Sequence, residues 1–323
     1  LVDFYDSSCT SISDNDESDN VNYIEICSAA DLDNIVRNNP ENNYKLICDI
    51  DLSDYAMQPL TLSGGLFDGD GHAISNLNFK RSDTLGLFSI IDRSIIKNLR
   101  LTNFNISGLS NIGILSGVLR NSIVLNLSTE GIITISNINA GGLVGQIASF
   151  GMIQDSRSEV YITADAGAAG TIQIGGLIGY AQNTIVTNSS AIAKINQTLG
   201  FYSGGLIGHL ENGIVQNSYA EVNITDKHVS YLGGLVGSAR YNTNFPAYVI
   251  INNSYSNGFI ESKEGGMVGG LVGVSYGLIE NSYSNANVIA AQIAGGLVGS
   301  LNNNLLESFI INSNASGNVS GSI

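Results

Sequence analysis

From Leu85 onward the chain shows no apolar residues at helical spacing. Apolar and polar residues instead alternate in short runs such as Val160-Tyr161-Ile162-Thr163, Ile192-Ala193-Lys194-Ile195, Val222-Asn223-Ile224-Thr225 and Val288-Ile289-Ala290. Period two over four to six residues, rich in β-branched side chains and bounded by Gly, Asn or Ser, predicts half-buried strands.

The runs belong to a repeat. Gly-Gly-Leu-(Val/Ile)-Gly begins at Gly141, Gly175, Gly204, Gly233, Gly269 and Gly295, and worn copies stand at Leu85, Gly113 and Gly64. From Leu85 onward successive starts lie 28, 28, 34, 29, 29, 36 and 26 residues apart, a period near 29 with loop insertions. An apolar pair and an Asn follow each copy, as in Ile123-Val124-Leu125-Asn126, Ile185-Val186-Thr187-Asn188 and Ile214-Val215-Gln216-Asn217; Met152-Ile153-Gln154-Asp155 replaces the Asn by Asp. Each repeat therefore carries three short strand segments. Three strands plus turns make one coil of a β-solenoid, whose equivalent residues stack in parallel at about 4.8 Å. A β-propeller needs blades of about 40–50 residues and four strands, more than this period supplies. About eight coils would form a rod on the order of 40 Å long. Leu and Val/Ile of the pentapeptide are expected inside. Its glycines are expected to take positive φ or to allow close coil approach, and the Asn column to chain amide hydrogen bonds.

A solenoid needs caps on its exposed ends. Ser28-Ala29-Ala30-Asp31 reads as a capping box with Asp in place of Glu. Leu32, Ile35 and Val36 form an apolar stripe on a short helix that stops before Pro40. Strand-like runs flank it at Tyr23–Cys27 and Tyr44–Cys48. Cys27 and Cys48 end these neighbouring runs and are the candidate disulfide in an oxidising compartment, which leaves Cys9 over. The division expected is an acidic N-terminal segment over 1–22, a cap with first coils over 23–84, and the repeat over 85–323. After Ile310-Ile311-Asn312-Ser313 no polar cap is legible, and Leu1 follows no signal-like stretch, as in a chain whose leader has been removed.

Composition sharpens this picture. The 323 residues include 38 Gly, 38 Asn and 3 Pro, and charged residues are 13% of the chain, against about 25% in an average domain. Net charge is −15, with 15 of the 28 acids and only Arg37 and Lys45 as bases in the first 70 residues; the rest is nearly neutral. Thirteen basic residues in all make nucleic acid an unexpected partner. No apolar run is long enough to span a membrane as a helix, so no membrane insertion is expected.

The pentapeptide followed by Ile-x-Asn-Ser-Tyr resembles the GLUG repeat of bacterial surface proteins, including adhesins and the non-catalytic N-terminal part of some immunoglobulin A1-cleaving metallopeptidases. The lead-in is similar too, through Ala29-Ala30-Asp31-Leu32, Asp49-Ile50-Asp51-Leu52 and Phe67-Asp68-Gly69-Asp70-Gly71-His72-Ala73-Ile74. The resemblance covers roughly residues 23–320. It implies an all-β, right-handed parallel β-helix, and any catalytic domain of such a peptidase would lie outside this chain.

Candidate chemistry is sparse. His72, His209 and His228 stand in unrelated contexts, so no zinc-peptidase helix is present, and the glycines match no phosphate-loop pattern. Polysaccharide-cleaving β-helices need carboxylates gathered on one strand face, and no repeated strand position is expected to collect two or three of them. Asp68-Gly69-Asp70-Gly71-His72 reads as a tight turn. Asp14, Asp16 and Asp19 are the candidate calcium ligands, although Asp19 stands where an EF-hand loop needs glycine and a solvated acidic loop is favoured. No other cofactor is expected. Tyr219, Tyr255 and Tyr283 each follow an Asn-Ser pair. They are the candidate surface for sugar or protein, and the pattern favours rings stacked inside or at a corner. Eight N-x-[ST] sites, including Asn126 and Asn188, fall partly on ladder Asn residues expected to point into the coil. The function expected is a non-enzymatic, extracellular or cell-surface structural or adhesive rod. Its expected partners are a further copy docked on the last coil, giving a head-to-tail filament, and a host or neighbouring-cell glycan or protein. The alternatives are a polysaccharide-binding or polysaccharide-degrading β-helix and the non-catalytic region of a larger secreted peptidase.

Overall fold

The computed structural model describes residues 21–80, 84–164, 172–198, 200–241, 248–302 and 308–321. The candidate calcium ligands Asp14, Asp16 and Asp19, and Cys9, lie outside these. The described chain is a parallel β-solenoid of about eight coils with one short helix near its start.

Three long ladders run the length of the rod. The first face stacks Phe88, Ser116, Val144, Ile178, Ile207, Val236, Val272 and Val298. The second stacks Ile96, Val124, Ile153, Val186, Val215, Ile251, Ile279 and Ile310, and the third Ile106, Ile133, Ile162, Ile195, Ile224, Ile260, Val288 and Val319. Apart from Ser116, every residue of these columns is β-branched or aromatic and stands in register with its equivalents in the adjacent coils. Most are fully buried, which is the arrangement period-two patterning predicts for a half-buried sheet.

Where three segments per coil were expected, there are four. A short fourth strip, Ile112–Gly113, Asn139–Gly141, Gln173–Gly175, Gly200–Gly204, Val229–Gly233, Met267–Gly269 and Ile293–Gly295, forms its own parallel sheet. It escapes the sequence because it ends on the first glycine of the pentapeptide, which reads there as a turn. The stretch Gly64-Gly65-Leu66-Phe67-Asp68 is not a worn pentapeptide. Phe67 pairs with Ile96 on the second face, and Leu60–Ser63 precedes it on the first.

The pentapeptide glycines work by close approach and not by positive φ, since none of them is among the glycines with φ above zero. A Cβ on Gly141 would overlap the Val144 carbonyl oxygen and lie 2.7 Å from that of Leu177 in the next coil. The second glycine touches the inner side of the third face: a Cβ on Gly176 would lie 2.7 Å from Ala193 Cβ, and one on Gly205 2.8 Å from Ala220 Cβ. The fifth packs against the preceding coil, where a Cβ on Gly145 would come within 2.6 Å of Ile112 N. The chain thus bends sharply while Leu143 and Val144 fill the interior.

Two corners use the opposite device. Asn98, Asn126, Asp155, Asn188, Asn217, Asn253, Asn281 and Asn312 all have φ between 47° and 54°, the left-handed region that Asn and Asp tolerate best among residues with a side chain. Their amides form a ladder: Asn126 Nδ2 donates to Asn98 Oδ1 (2.9 Å), Asn188 to Asp155 (3.0 Å) and Asn217 to Asn188 (3.2 Å). Contrary to expectation, Asn126, Asn188 and Asn217 are exposed, because the left-handed residue turns the chain outward. The next residue turns in. Ser189, Ser218, Ser254 and Ser282 are buried; each hydroxyl donates to the carbonyl two residues back and accepts the serine N–H of the preceding coil, for example Ser218 N to Ser254 Oγ at 3.2 Å. The corner between first and second faces repeats the scheme with Arg93–Ser94 and Asn121–Ser122. The serine N–H groups that these turns would strand are thereby paired.

At the start, Ser28 caps the helix: its hydroxyl accepts the Asp31 N–H at 3.0 Å and donates to the Asp31 carboxylate at 2.7 Å. Leu32 and Val36 are buried and Ile35 packs against the core. Tyr44 beneath them is fully buried, its hydroxyl donates to the Asn39 carbonyl, and burial pushes the phenol up to about 12. Cys27 and Cys48 form a disulfide, with Cα atoms 5.1 Å apart, that ties the two runs flanking the helix.

Candidate functional site

Tyr219, Tyr255 and Tyr283 open successive strands of the third face, immediately after the serine corner. They stack in a column on its outer side, with centroids 4.9 Å apart and ring planes 2° and 3° from parallel. Sequence reasoning favoured rings inside or at a corner; they stand at the corner and not inside, half-buried and, for Tyr283, exposed. Both faces of Tyr255 are taken by its neighbours, so the column offers ring edges and hydroxyls but no free inner ring face for a sugar. Burial, helped by the adjacent tyrosines and Glu221, raises the Tyr255 phenol above its ordinary value.

Beside this column lies one that sequence reasoning denied. Glu130, Glu159, Ile192, Glu221 and Asn257 are in register on the outer side of the third face, so three carboxylates do share a repeated strand position. The signal was present: each stands four residues after its ladder Asn or Asp (126, 155, 188, 217, 253). The insertions that stretch the period hide the alignment when acids are counted along the chain. Arg157 of the tyrosine column meets the Glu159 carboxylate at 3.3 Å. The next outward column runs Asn105, Ile132, Tyr161, Lys194, Asn223 and Phe259, with the Lys194 ammonium 5.2 Å from the centre of the Tyr161 ring.

Between these two columns the face is indented. One hollow of about 460 Å³ runs from Asn103 to Lys194, and a second of about 410 Å³ continues to Asn257 and Gly258; Ile192 and Lys194 line both. The floor is the column Gly131, Val160, Ala193, Val222 and Gly258, with a bulge next to Gly131. From inside, the second pentapeptide glycine packs against the same column, since a Cβ on Gly142 would sit 3.0 Å from Val160 Cγ1. The motif that bends each coil thus also draws the third face inward.

A second polar cluster fills the seam where the fourth strip meets the first face. The His209 ring stacks between Tyr180 (5.5 Å, 10°) and Tyr202 (4.5 Å, 21°), and Tyr202 in turn stacks on Tyr231 at 5.4 Å. The Arg240 guanidinium lies 4.9–5.5 Å from the centres of Tyr231, Tyr276 and Tyr202, a set of cation–π contacts. The Tyr180 hydroxyl donates to Glu211 at 2.7 Å; burial and that carboxylate raise its phenol. Burial lowers the His209 pKa to about 4, and the Arg240 charge acts in the same direction. Sequence reasoning missed this cluster, although its members occupy three fixed places, two residues before a pentapeptide (Tyr202, Tyr231), directly after it (Tyr180, His209) and three residues after it (Glu211, Arg240, Tyr276).

The stretch from Asp68 to His72 is the turn expected: the Asp70 N–H bonds Asp68 Oδ1 at 2.9 Å, Asp70 and Gly71 have positive φ, and Lys97 meets Asp68 at 3.3 Å. Among the described residues no three His, Cys, Asp or Glu side chains converge as a metal site, and no helix is long and apolar enough to cross a membrane.

Residues 170–196, 200–225 and 264–289 match the GLUG motif. Halomucin of Haloquadratum walsbyi is 33% identical over 157 residues, which is 42% of this chain and 2% of halomucin. The immunoglobulin A1 protease of Streptococcus sanguinis is 27% identical over 221 residues, 54% of this chain and 12% of the protease. A solved IgA1 protease structure shares the fold, with a TM-score of 0.62 at 20% identity over 93% of this chain and 22% of that one. The chain therefore spans a small part of each relative's length. Three stretches of the chain thus carry GLUG motifs, and the described residues form a parallel β-solenoid.

Proposed function

We propose that this chain is a non-catalytic, rigid module of a secreted or surface-exposed protein, which spaces other parts of that protein and adheres through its flank. One observation carries the reading: parallel ladders run without a break from Ile24 to Gly321 around an interior filled by side chains, so only the outer faces remain for recognition. Partial similarity to halomucin and to an immunoglobulin A1 protease supports a surface or secreted setting. Negative-stain electron microscopy of the purified chain should reveal straight rods on the order of 40–50 Å long, from about 4.8 Å per coil. Turnover of a protein or polysaccharide substrate by the pure chain would refute the non-catalytic part of the reading.

The protease similarity also favours a narrower version, in which the module is the non-catalytic region of a larger secreted peptidase. Self-assembly is the other refinement. The last coils present Phe309, Ile310, Ile311 and Val319 at 40–48% exposure, and a second solenoid stacked on this edge would make a head-to-tail, non-closing contact. Sedimentation velocity then gives species that lengthen with concentration, and a single monomeric boundary at all concentrations refutes it.

A further inference from the structure

The indentation of the third face is a binding groove, and we propose that its ligand is an extended, non-acidic glycan chain. The inference rests on the reading of the chain as an adhesive rod and names the partner class of its flank.

Three features argue for it. The first is shape: the two hollows are contiguous through Ile192 and Lys194 and together cross six coils, from Asn105 to Gly258. At about 4.8 Å per coil this is a channel of about 24 Å along the rod, long enough for several sugar units but open along its whole length, as a linear polymer requires. The second is periodicity. Carboxylates stand at three of the five rungs of one wall (Glu130, Glu159, Glu221) and amides at Asn105 and Asn223 of the other, so a ligand that itself repeats can make the same contact more than once, whereas a compact molecule can use only one or two. The third is chemistry. One wall offers the carboxylates of Glu130, Glu159 and Glu221, all exposed, and the other the amides of Asn105 and Asn223 with Tyr161 and Lys194. Carboxylates and amides accept and donate in the paired geometry that vicinal hydroxyls present. The three carboxylates outnumber the Lys194 ammonium and the Arg157 guanidinium, which meets Glu159, so the groove keeps one net negative charge, which disfavours uronate or sulfated chains and tolerates neutral or amine-bearing ones. The tyrosine column lies outside the groove, and both faces of its central ring, Tyr255, are taken by Tyr219 and Tyr283.

The test uses the whole chain and five probes: a neutral β-glucan hexasaccharide, the corresponding disaccharide, an amine-bearing glucosamine hexamer, an acidic galacturonate hexamer and gelatin as an extended polypeptide. Titration calorimetry should give binding of the neutral or amine-bearing hexamer at least tenfold tighter than of the disaccharide and of the acidic hexamer. The double variant Glu159→Ala/Glu221→Ala should weaken it at least tenfold, and Tyr161→Ala several-fold. Glu261→Ala, one outward column beyond the groove, should leave it unchanged. Both sets of substitutions are on the surface, and circular dichroism confirms that each variant retains the sheet. No binding of any hexamer, preference for the acidic one, binding of gelatin alone, or affinity unaffected by the groove substitutions overturns the proposal while leaving the rod intact. Release of new reducing ends from a bound hexamer would instead overturn the non-catalytic reading.

Discussion

Acidification should unfold this rod first where His209 is buried. His209 is 7% exposed, stacked between Tyr180 and Tyr202, and its pKa falls from 6.5 to about 4, chiefly through burial with Arg240 adding to it. In the unfolded chain the imidazole takes up a proton as pH falls through 6.5; in the folded chain it does so only near 4. The unfolded state therefore binds more protons across that window, and stability falls as pH drops. A separation of about 2.5 units at 1.36 kcal/mol each is a loss of about 3 kcal/mol, complete near pH 4 and absent above pH 7. Asp49 and Asp51, whose pKa values are lowered by hydrogen bonds from the Ala73 N–H and the Asn76 amide respectively, act at lower pH, below their ordinary 3.8. Replacing His209 by Phe keeps an aromatic ring in the stack and removes the titration. Urea unfolding at stepped pH, read by circular dichroism and by amide exchange in the coils around residue 209, should show the loss in the natural chain and a flat profile between pH 7 and 4 in the variant. Equal slopes in the two proteins would refute the assignment, as would an imidazole titrating near 6.5 by NMR.

Other substitutions test the corners and bends. Gly205→Ala forces a methyl group against the Gly234 carbonyl and the Val222 side chain, and thermal unfolding should report a loss of about 1–3 kcal/mol or more. Ser254→Ala strips the acceptor from the buried Ser218 N–H, a cost of about 1–3 kcal/mol by the same measurement, whereas Ser313→Ala, at a half-buried position flanked by exposed Asn312 and Asn314, should cost less. Reducing the Cys27–Cys48 disulfide, whose cysteines are 21 residues apart, should cost about 3 kcal/mol of stability by the loop-entropy relation; it should loosen amide protection around the first helix while leaving the central coils unchanged.

Much of this architecture is legible in the sequence because a solenoid writes each structural position several times. The pentapeptide, the Ile-x-Asn segment and the alternating third segment predict three of the four sides, the coil number and the interior residues. The capping role of Ser28 and the pairing of Cys27 with Cys48 follow from local chemistry alone. What stays hidden depends on register between coils. The fourth strip is masked because its last residue, such as Gly141 or Gly175, also begins a bend. The outward swing of Asn126 and Asn188 depends on left-handed backbone, which a hydrophobicity pattern does not report. The Glu130, Glu159 and Glu221 column requires the insertion before Gly175 to be removed before equivalent residues align, and the Tyr202–His209 seam joins residues on either side of a pentapeptide that belong to different strands. The groove itself is a property of depth, set by how closely glycine lets the pentapeptide approach Val160, Ala193 and Val222.

The most direct test of the account is a set of distances along one outward column of the third face, where Thr134, Thr163, Asn196, Thr225, Glu261, Ile289 and Ser320 are in register. With Cys9 replaced by Ser and the native disulfide intact, spin labels placed at Thr134 and at Glu261, Ile289 or Ser320 are separated by four, five or six coils. Pulsed electron paramagnetic resonance should give separations that rise linearly by about 4.8 Å per coil, from about 19 Å to about 29 Å. Separations that fail to increase in that order, or that increase by another step, would contradict a parallel solenoid in this register.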